Sequence, residues 1–413
     1  MSNDRPTGVL IIVENLPFPL VRRAMQEARA LRDAGYRVSV ISVKGAGCEK
    51  SYEVIEGIEV YRHRFWEASG PAGYLVEYSL ALASQFYLAL KAYRRTRFSI
   101  VHTWNPPDIM FVIGWIFKRF CGARYIFDHL DLNPELYLAK FGHEDFFYRM
   151  VCRVERAAFH TADVSLATNQ SYRDIAYERG DMPQDRVFIV RVSPEPEKMR
   201  RRESFPELKR GKKNLVVYLG VMGSQDGVDL WVEGIDYIVN QKKRDDTFFA
   251  IIGSGTEVPR LKAMVAAKGL DDVVHFTGRV SAEELGRYLS TADVGVAPDP
   301  LNPMNDKSTM GKILEYMSFS MPVVLFELTE GRRSAEDAAL YARPNDPVDF
   351  AEKVIQLLDS EPLRRQLGDR GRQRIEQEIN WEVDSHRLLA AYELALKSPK
   401  GKISSKVESA PNL

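Results

Sequence analysis

Between Asp306 and Met317 the sequence runs Asp306-Lys307-Ser308-Thr309-Met310-Gly311-Lys312-Ile313-Leu314-Glu315-Tyr316-Met317. It sets two lysines, two hydroxyl residues and a glutamate around the opening of a helix. Ser308 or Thr309 can cap that helix. Its first N–H groups, helped by Lys307 and Lys312, attract an anion. Glu315 follows Thr309 by just under two turns, about 9 Å along the axis. From there a carboxylate reaches the ribose hydroxyls of a nucleotide whose phosphates rest on the helix end. A capped helix with a solvated Glu315 fits the spacing equally well.

Other chemistries are missing. The turn after the first apolar run reads Glu14-Asn15-Leu16-Pro17-Phe18-Pro19, without the G-x-G-x-x-G of a nicotinamide site, and no phosphate-binding G-x-x-x-x-G-K-[ST] occurs. No D-x-D triplet is present to hold a divalent ion on a diphosphate. The expectation is that no metal or cofactor takes part, and that cationic side chains and helix ends hold any diphosphate.

Lysine plus arginine number 57 and aspartate plus glutamate 57, so there is no excess charge to drive nucleic-acid binding. Cys48, Cys121 and Cys152 are scattered, which suits a reducing compartment rather than a disulfide framework or zinc ribbon. Met1–Gly8 is polar, unlike a signal peptide. The longest apolar run, Ile109–Phe117, falls well short of the ~20 residues of a bilayer span. A cytoplasmic protein is expected, touching the inner face of the cytoplasmic membrane at most peripherally.

Short apolar runs alternate with helical spacing. Strands are expected at 9–13, 38–43, 54–62 (broken at Gly57), 99–103, 124–128 and 164–168, with helices at 21–34, 75–93, 109–120 and near 144–160. The alternation stops in the proline- and charge-rich segment 193–214 and restarts with strands at 215–219, 248–252, 273–276, 294–297 and 323–326. This predicts an α/β chain of two doubly wound Rossmann-like domains facing a central cleft: residues 1–192, a linker at 193–214, and residues 215–380. A C-terminal helix at 381–397 would cross back to the first domain, and 398–413 would be a disordered tail. Ligands of parallel sheets bind beyond the carboxyl ends of strands.

Four pieces in order carry a resemblance. Phe249-Ala250-Ile251-Ile252-Gly253-Ser254-Gly255, His275-Phe276-Thr277-Gly278-Arg279-Val280, Ala292-Asp293-Val294-Gly295-Val296-Ala297-Pro298 and Leu314-Glu315-Tyr316-Met317, the last leading to Met321-Pro322-Val323-Val324, resemble the nucleotide-sugar half of retaining GT-B glycosyltransferases of the GT4 family. The loop around Asp306-Lys307-Ser308-Thr309 resembles that of bacterial surface-polysaccharide transferases. The resemblance implies transfer of a sugar from a UDP- or GDP-sugar to a glycan or lipid-linked acceptor, with anomeric configuration retained and no metal. Carried over by position, Glu315 matches the glutamate that holds the donor ribose. Glu315 corresponds to the second glutamate of the family's E-x7-E motif, and Lys307, beside Asp306, stands where the first would fall. Gly220 and Gly253 match the glycine loops, and the main chain of Val280, after Arg279, matches the position that meets the base. The loop Val221–Gly227 lacks the family's diphosphate-binding cations, so Lys307, Lys312 and Arg279 are expected to replace them around Ser308 and Thr309.

In the first half, His129 and Asp131 follow a strand and resemble the family's HD-type loop near the transferred sugar. His102 is also strand-terminal. Asn15, Pro17 and Arg22 lie in the first loop and helix, which border the acceptor in the family; the start of that helix could face an anionic group, and a tight turn with Arg22 and Arg23 on the surface fits at least as well. The helices 75–93 and 109–120 carry aromatics and end in basic residues. An anionic membrane could bind them, although core-facing helices with solvated basic ends weigh more. Two other readings stay open: an isomerase like the nonhydrolysing UDP-sugar epimerases, and a sugar-nucleotide-binding subunit without catalysis.

Overall fold

The computed structural model describes residues 6–14, 16–64 and 70–398. The expected disordered tail therefore lies, apart from Ser398, outside the described residues, as does Asn15. The chain divides into two compact units, residues 1–191 with 384–413, and residues 192–383.

The first unit is built on eight strands: β1 Gly8–Ile12, β2 Arg37–Val43, β3 Tyr52–Ile55, β4 Ile58–His63, β5 Ile100–Trp104, β6 Arg124–His129, β7 Val164–Ala167 and β8 Val187–Ile189. Their order is β3-β4-β2-β1-β5-β6-β7-β8. Only the β3–β4 pair among them is antiparallel. It is the hairpin whose turn includes Gly57 at φ 82°. The parallel strands are mostly apolar and buried because both faces are covered by helices. Those helices stop where the sequence says they should: Gly122, at φ 68°, closes Phe111–Cys121. Asn169 opens Gln170–Glu178 by accepting from the Tyr172 N–H at 2.9 Å. The helix Asn133–Phe141, with Pro134 in its first turn, has too short an apolar pattern to stand out in the sequence.

The second unit carries β9 Asn214–Leu219, β10 Thr247–Ile252, β11 Val274–Gly278, β12 Val294–Ala297, β13 Val323–Phe326 and β14 Ala339–Ala342, all parallel, in the order β11-β10-β9-β12-β13-β14. The three-residue β8 and the four-residue β14, Ala-Leu-Tyr-Ala, are the strands that apolar runs alone do not reveal. Trp231 anchors one face, edge-on to Phe249 and Phe350 at 5.8 and 5.7 Å.

Segment 193–214, expected as a linker, is packed on this unit instead. Phe205 N–H donates to Thr291 Oγ1 at 2.8 Å, and the Arg201 Nε and Arg202 N–H groups reach Ser290 at 3.1 Å each. Its prolines and charges hide a strap that is held by backbone and arginine hydrogen bonds rather than by apolar spacing. No helix among the described residues is long and apolar enough to cross a membrane.

Candidate functional site

In the second sheet the chain builds outward from β9 to β11, then returns beside β9 as β12. The strand order reverses between β9 and β12, which is where doubly wound sheets bind ligands. Three loops leave the carboxyl edge there: 220–227, 253–257 and 298–310.

The first two loops are locked together at glycine positions. Gly220 N–H donates to Ile252 O at 3.0 Å and Met222 N–H to Ser254 O at 3.1 Å. Gly253 has φ +133°, and a Cβ there would lie 1.9 Å from Gly220 O. Gly253 is thus explained by this close approach of two backbones. A Cβ on Gly220 would meet Tyr218 Oη at 3.0 Å and Lys312 Cε at 3.3 Å. Gly220 leaves room for the Lys312 side chain to lie across the end of β9. The third loop is tied to the first by buried Asn305, whose Nδ2 donates to Gln225 O at 3.0 Å and Pro300 O at 2.9 Å.

Lys312 is the cation at this junction. Its Nζ lies 2.7 and 3.0 Å from the two carboxylate oxygens of Asp299 and 4.9 Å from the centre of the Tyr218 ring. Asp299 is 1% exposed. The loop 221–227 has no cation of its own, and Lys312 brings one to it from the following helix. Asp226 accepts from Gly223 N–H at 2.7 Å. Burial raises the Asp226 carboxyl, against the lowering effects of that N–H and of Lys312.

The helix itself runs Gly311–Ser318. Neither Ser308 nor Thr309 stands at its N-cap position. The residue before the helix is Met310, with no side-chain cap, because Ser308 Oγ donates back to Met304 O at 2.8 Å and the chain passes through a tight turn, Asn305–Lys307, first. Asp306 is also committed: its carboxylate accepts from Thr329 N–H at 2.7 Å and Thr329 Oγ1 at 2.9 Å, pinning the start of helix Thr329–Ala335. Lys307 and Glu315 are half-buried, one in the turn and one on the helix. Arg279 is exposed, with Nε donating to Ser254 Oγ at 2.9 Å, and Val280 packs against the hydrophobic core.

One residue that spacing did not single out holds the assembly together. Tyr316 is wholly buried, and its hydroxyl accepts from Leu219 N–H at 2.7 Å and lies 3.2 Å from Val296 O. It thus bridges the ends of β9 and β12. Gly295 makes space for it, since a Cβ there would lie 2.6 Å from the Tyr316 ring. The sequence signal was a tyrosine on the buried face of a helix otherwise lined by Ile313, Leu314 and Met317.

In the first unit the structure corrects three readings. β6 continues one residue beyond the expected 124–128, so His129 is a strand residue. It is fully buried, its ring 5.1 Å from Phe159 and 5.3 Å from Tyr172, with Nε2 3.2 Å from Glu155 Oε1. So enclosed a ring is a core group of the first unit rather than the loop histidine expected after a strand. His102 is likewise in the core, with Nδ1 2.7 Å from Tyr392 Oη and Nε2 3.5 Å from Asp128. Arg23 is not a surface group: its guanidinium clasps Asp128 at 2.9 and 2.7 Å, pairs with Glu27 at 2.9 Å and donates to Val190 O at 2.6 Å. Polar side chains carry no apolar signal, so the burial of these three among their partners could not be read from spacing.

Glu27, His102 and Asp128 bring their ligand atoms within 4.8 Å of one another. The positive charge among them is Arg23, so this set reads as a buried ion network rather than a metal centre. Burial pushes Glu27 up to about 7 against the pull of Arg23. Arg22 is exposed and Pro17 half-buried. Asp131 follows β6 in a loop held by Asn105, whose Oδ1 accepts from Asp131 N–H at 3.0 Å and whose Nδ2 donates to Asp131 O at 2.7 Å. Burial raises the Asp131 carboxyl. Asn105, the first residue past β5, is the organiser of this loop that sequence reading overlooked.

Residues 20–192 match the glycosyl transferase 4-like domain, and residues 199–374 match glycosyl transferases group 1. The chain is 24% identical over 223 residues to alpha-D-kanosaminyltransferase of Streptomyces kanamyceticus, covering 52% of this chain and 56% of that protein. It is 26% identical over 175 residues to an uncharacterized glycosyltransferase of Methanocaldococcus jannaschii, covering 42% of this chain and 46% of that one. The chain thus spans about half the length of these relatives. Among solved structures, sucrose-phosphate synthase of Thermosynechococcus elongatus superposes with a TM-score of 0.80 at 18% identity, over 95% of this chain and 99% of that one. HepE of Anabaena, solved with UDP and glucose, gives 0.70 at 11% identity over 94% and 99%. These likenesses show the fold: two parallel-sheet Rossmann-like domains of the GT-B type.

Proposed function

We propose that this chain, composed of a glycosyl transferase 4-like and a group 1 domain, transfers a sugar from a nucleoside diphosphate to a glycan or lipid-linked acceptor with retention of anomeric configuration. The observation that carries the reading is Lys312. It reaches the glycine junction at the strand-order reversal of the second sheet, at the start of helix Gly311–Ser318. That is the arrangement a leaving diphosphate needs.

In this reading the diphosphate rests on the amides that open helix Gly311–Ser318, with Lys312 and Lys307 supplying charge. Asp299 already offsets the charge of Lys312, so the helix amides share the work. Glu315 accepts from the ribose hydroxyls, and the main chain of Val280 meets the base, with Arg279 at the rim. Asp131, in the loop after β6, is the carboxylate of the first unit assigned to the transfer step. Asp306, Ser308 and Thr309 shape the loop that presents Lys307. Neighbours solved with UDP or UDP-glucose support a nucleotide-sugar donor by analogy of fold.

The step breaks the bond between the anomeric carbon and the phosphate oxygen and forms one to the acceptor oxygen on the same face. The acceptor proton passes to the departing phosphate oxygen. Positive charge on the sugar and negative charge on the phosphate develop together, so fixed cations at the phosphate lower the barrier. No metal is assigned a role in this step.

A panel of UDP-, GDP- and ADP-sugars tests the reading. One donor should raise the melting temperature with concentration, as binding to the folded state requires. It should then be consumed with an acceptor extract to give a product whose anomeric configuration, read by NMR, matches the donor. A product of inverted configuration, or epimerised free sugar without acceptor, would overturn it.

A further inference from the structure

The long helix Gly70–Thr96 of the first unit buries one face, with Gln85, Leu88 and Ala92 against the sheet. Its opposite face is apolar as well. Val76, Leu80, Ala83, Tyr87 and Leu90 recur at alternating spacings of four and three, which places them in one stripe along the helix. All five are exposed, Tyr87 to 64%. A helix serving only as a sheet cover has a polar outer face.

The neighbouring helix Phe111–Cys121 packs alongside it through Phe117, 6.3 Å from Phe86 and 5.4 Å from Tyr93. It too exposes aromatics, Trp115 and Phe120, the latter to 70%, with the two rings edge-on at 6.2 Å. The charged side chains on these outer faces are cations. Lys91 and Arg94 close the stripe, and exposed Arg119 lies over the Phe120 ring. Lys118 is already paired with Asp163 at 3.0 Å. The one acidic residue of the stripe region, Glu77, is half-buried and lies near buried Glu14.

We propose that these two helices dock the first unit on an anionic lipid surface. Aromatic rings suit the headgroup boundary, the aliphatic side chains enter it, and lysine and arginine meet the lipid phosphates from the rim. The charge pattern favours lipid over a second copy of the chain, because two such faces brought together would set like charges side by side. This goes beyond the transfer reading, and vesicle binding requires neither donor nor acceptor.

The test is cosedimentation of the full chain with vesicles of phosphatidylglycerol and phosphatidylcholine, against phosphatidylcholine alone. The protein should pellet with the anionic vesicles, less so at high salt, and remain in solution with the neutral ones. The variant L80S/Y87S/L90S and the variant R94E/R119E should each lower partitioning about tenfold or more. All five side chains are exposed, so both variants should keep the wild-type circular dichroism spectrum and donor-induced thermal shift. Wild type that stays in the supernatant, variants that pellet like wild type, or a wild-type dimer that the serine variant makes monomeric would each overturn the proposal.

Discussion

Lys312 Nζ lies 2.7 Å from Asp299 Oδ1, in a pair where the lysine side chain is 9% exposed and the aspartate 1%. Asp299 stands just past the end of β12, and Lys312 opens the helix that follows the same loop. The pair therefore closes the loop on itself and fixes a cation beside Gly220. A lone surface lysine would spend conformational entropy to hold an anion. This one is already placed.

Removing one partner of a buried pair leaves the other charge stranded, at a cost of about 3–5 kcal/mol. Asp299→Asn and Lys312→Met should each lower stability in urea by an amount of that order. The double variant should be less destabilised than the sum, because no lone charge remains. Simple additivity in this cycle would show that the two groups do not depend on each other.

Tyr316→Phe keeps the ring in its slot against Gly295 but deprives the Leu219 N–H of its acceptor. An orphaned buried amide costs about 1–3 kcal/mol. The variant should unfold at correspondingly lower urea and bind donor more weakly, since Leu219 leads directly into the Gly220 turn. Unchanged stability would remove Tyr316 from its bridging role.

Glu27 in the folded unit is raised from 4.5 to about 7, chiefly by burial. Between those values the folded state holds a proton that the unfolded state has released, so stability falls as pH rises through this window and levels off above it. Glu27→Gln mimics the protonated form. Relative to wild type it should gain stability as pH is raised from 5 to 8, measured by urea unfolding. A difference independent of pH would contradict the raised carboxyl. Asp108, pushed up to about 6 by burial, acts in the same direction and is present in both proteins.

If lysines and helix amides neutralise the leaving group, transfer should persist after dialysis against EDTA, with no gain on adding magnesium or manganese. Loss of turnover in EDTA with recovery on adding manganese would shift the charge stabilisation to a metal.

Most strands were legible because buried parallel strands are short apolar runs between helices of 3.6 period; β12 and β13 have the bounds that such runs predict. β14 escaped because Ala339-Leu340-Tyr341-Ala342 is too short and mixed to stand out. Local features of the candidate site were legible, such as the helix that carries both Lys312 and Glu315. The site was not legible where partners meet only in the fold: Asp299 with Lys312, Asp306 with Thr329, and Tyr316 with Leu219. His129 shows the opposite failure. A histidine at the apparent end of a strand looked available, yet one more residue of β6 pairing placed it in the core.

The central claim is that a nucleoside diphosphate binds where Lys312 meets the glycine junction of the second unit. Titration calorimetry of UDP, GDP and ADP into the wild-type chain and into a folded Lys312→Ala variant tests it most directly. One nucleotide should bind the wild type, and the variant should bind it at least about tenfold more weakly, the loss expected for a charge-assisted phosphate contact. Equal affinity in both proteins, or no binding of any nucleotide to the wild type, would contradict the account.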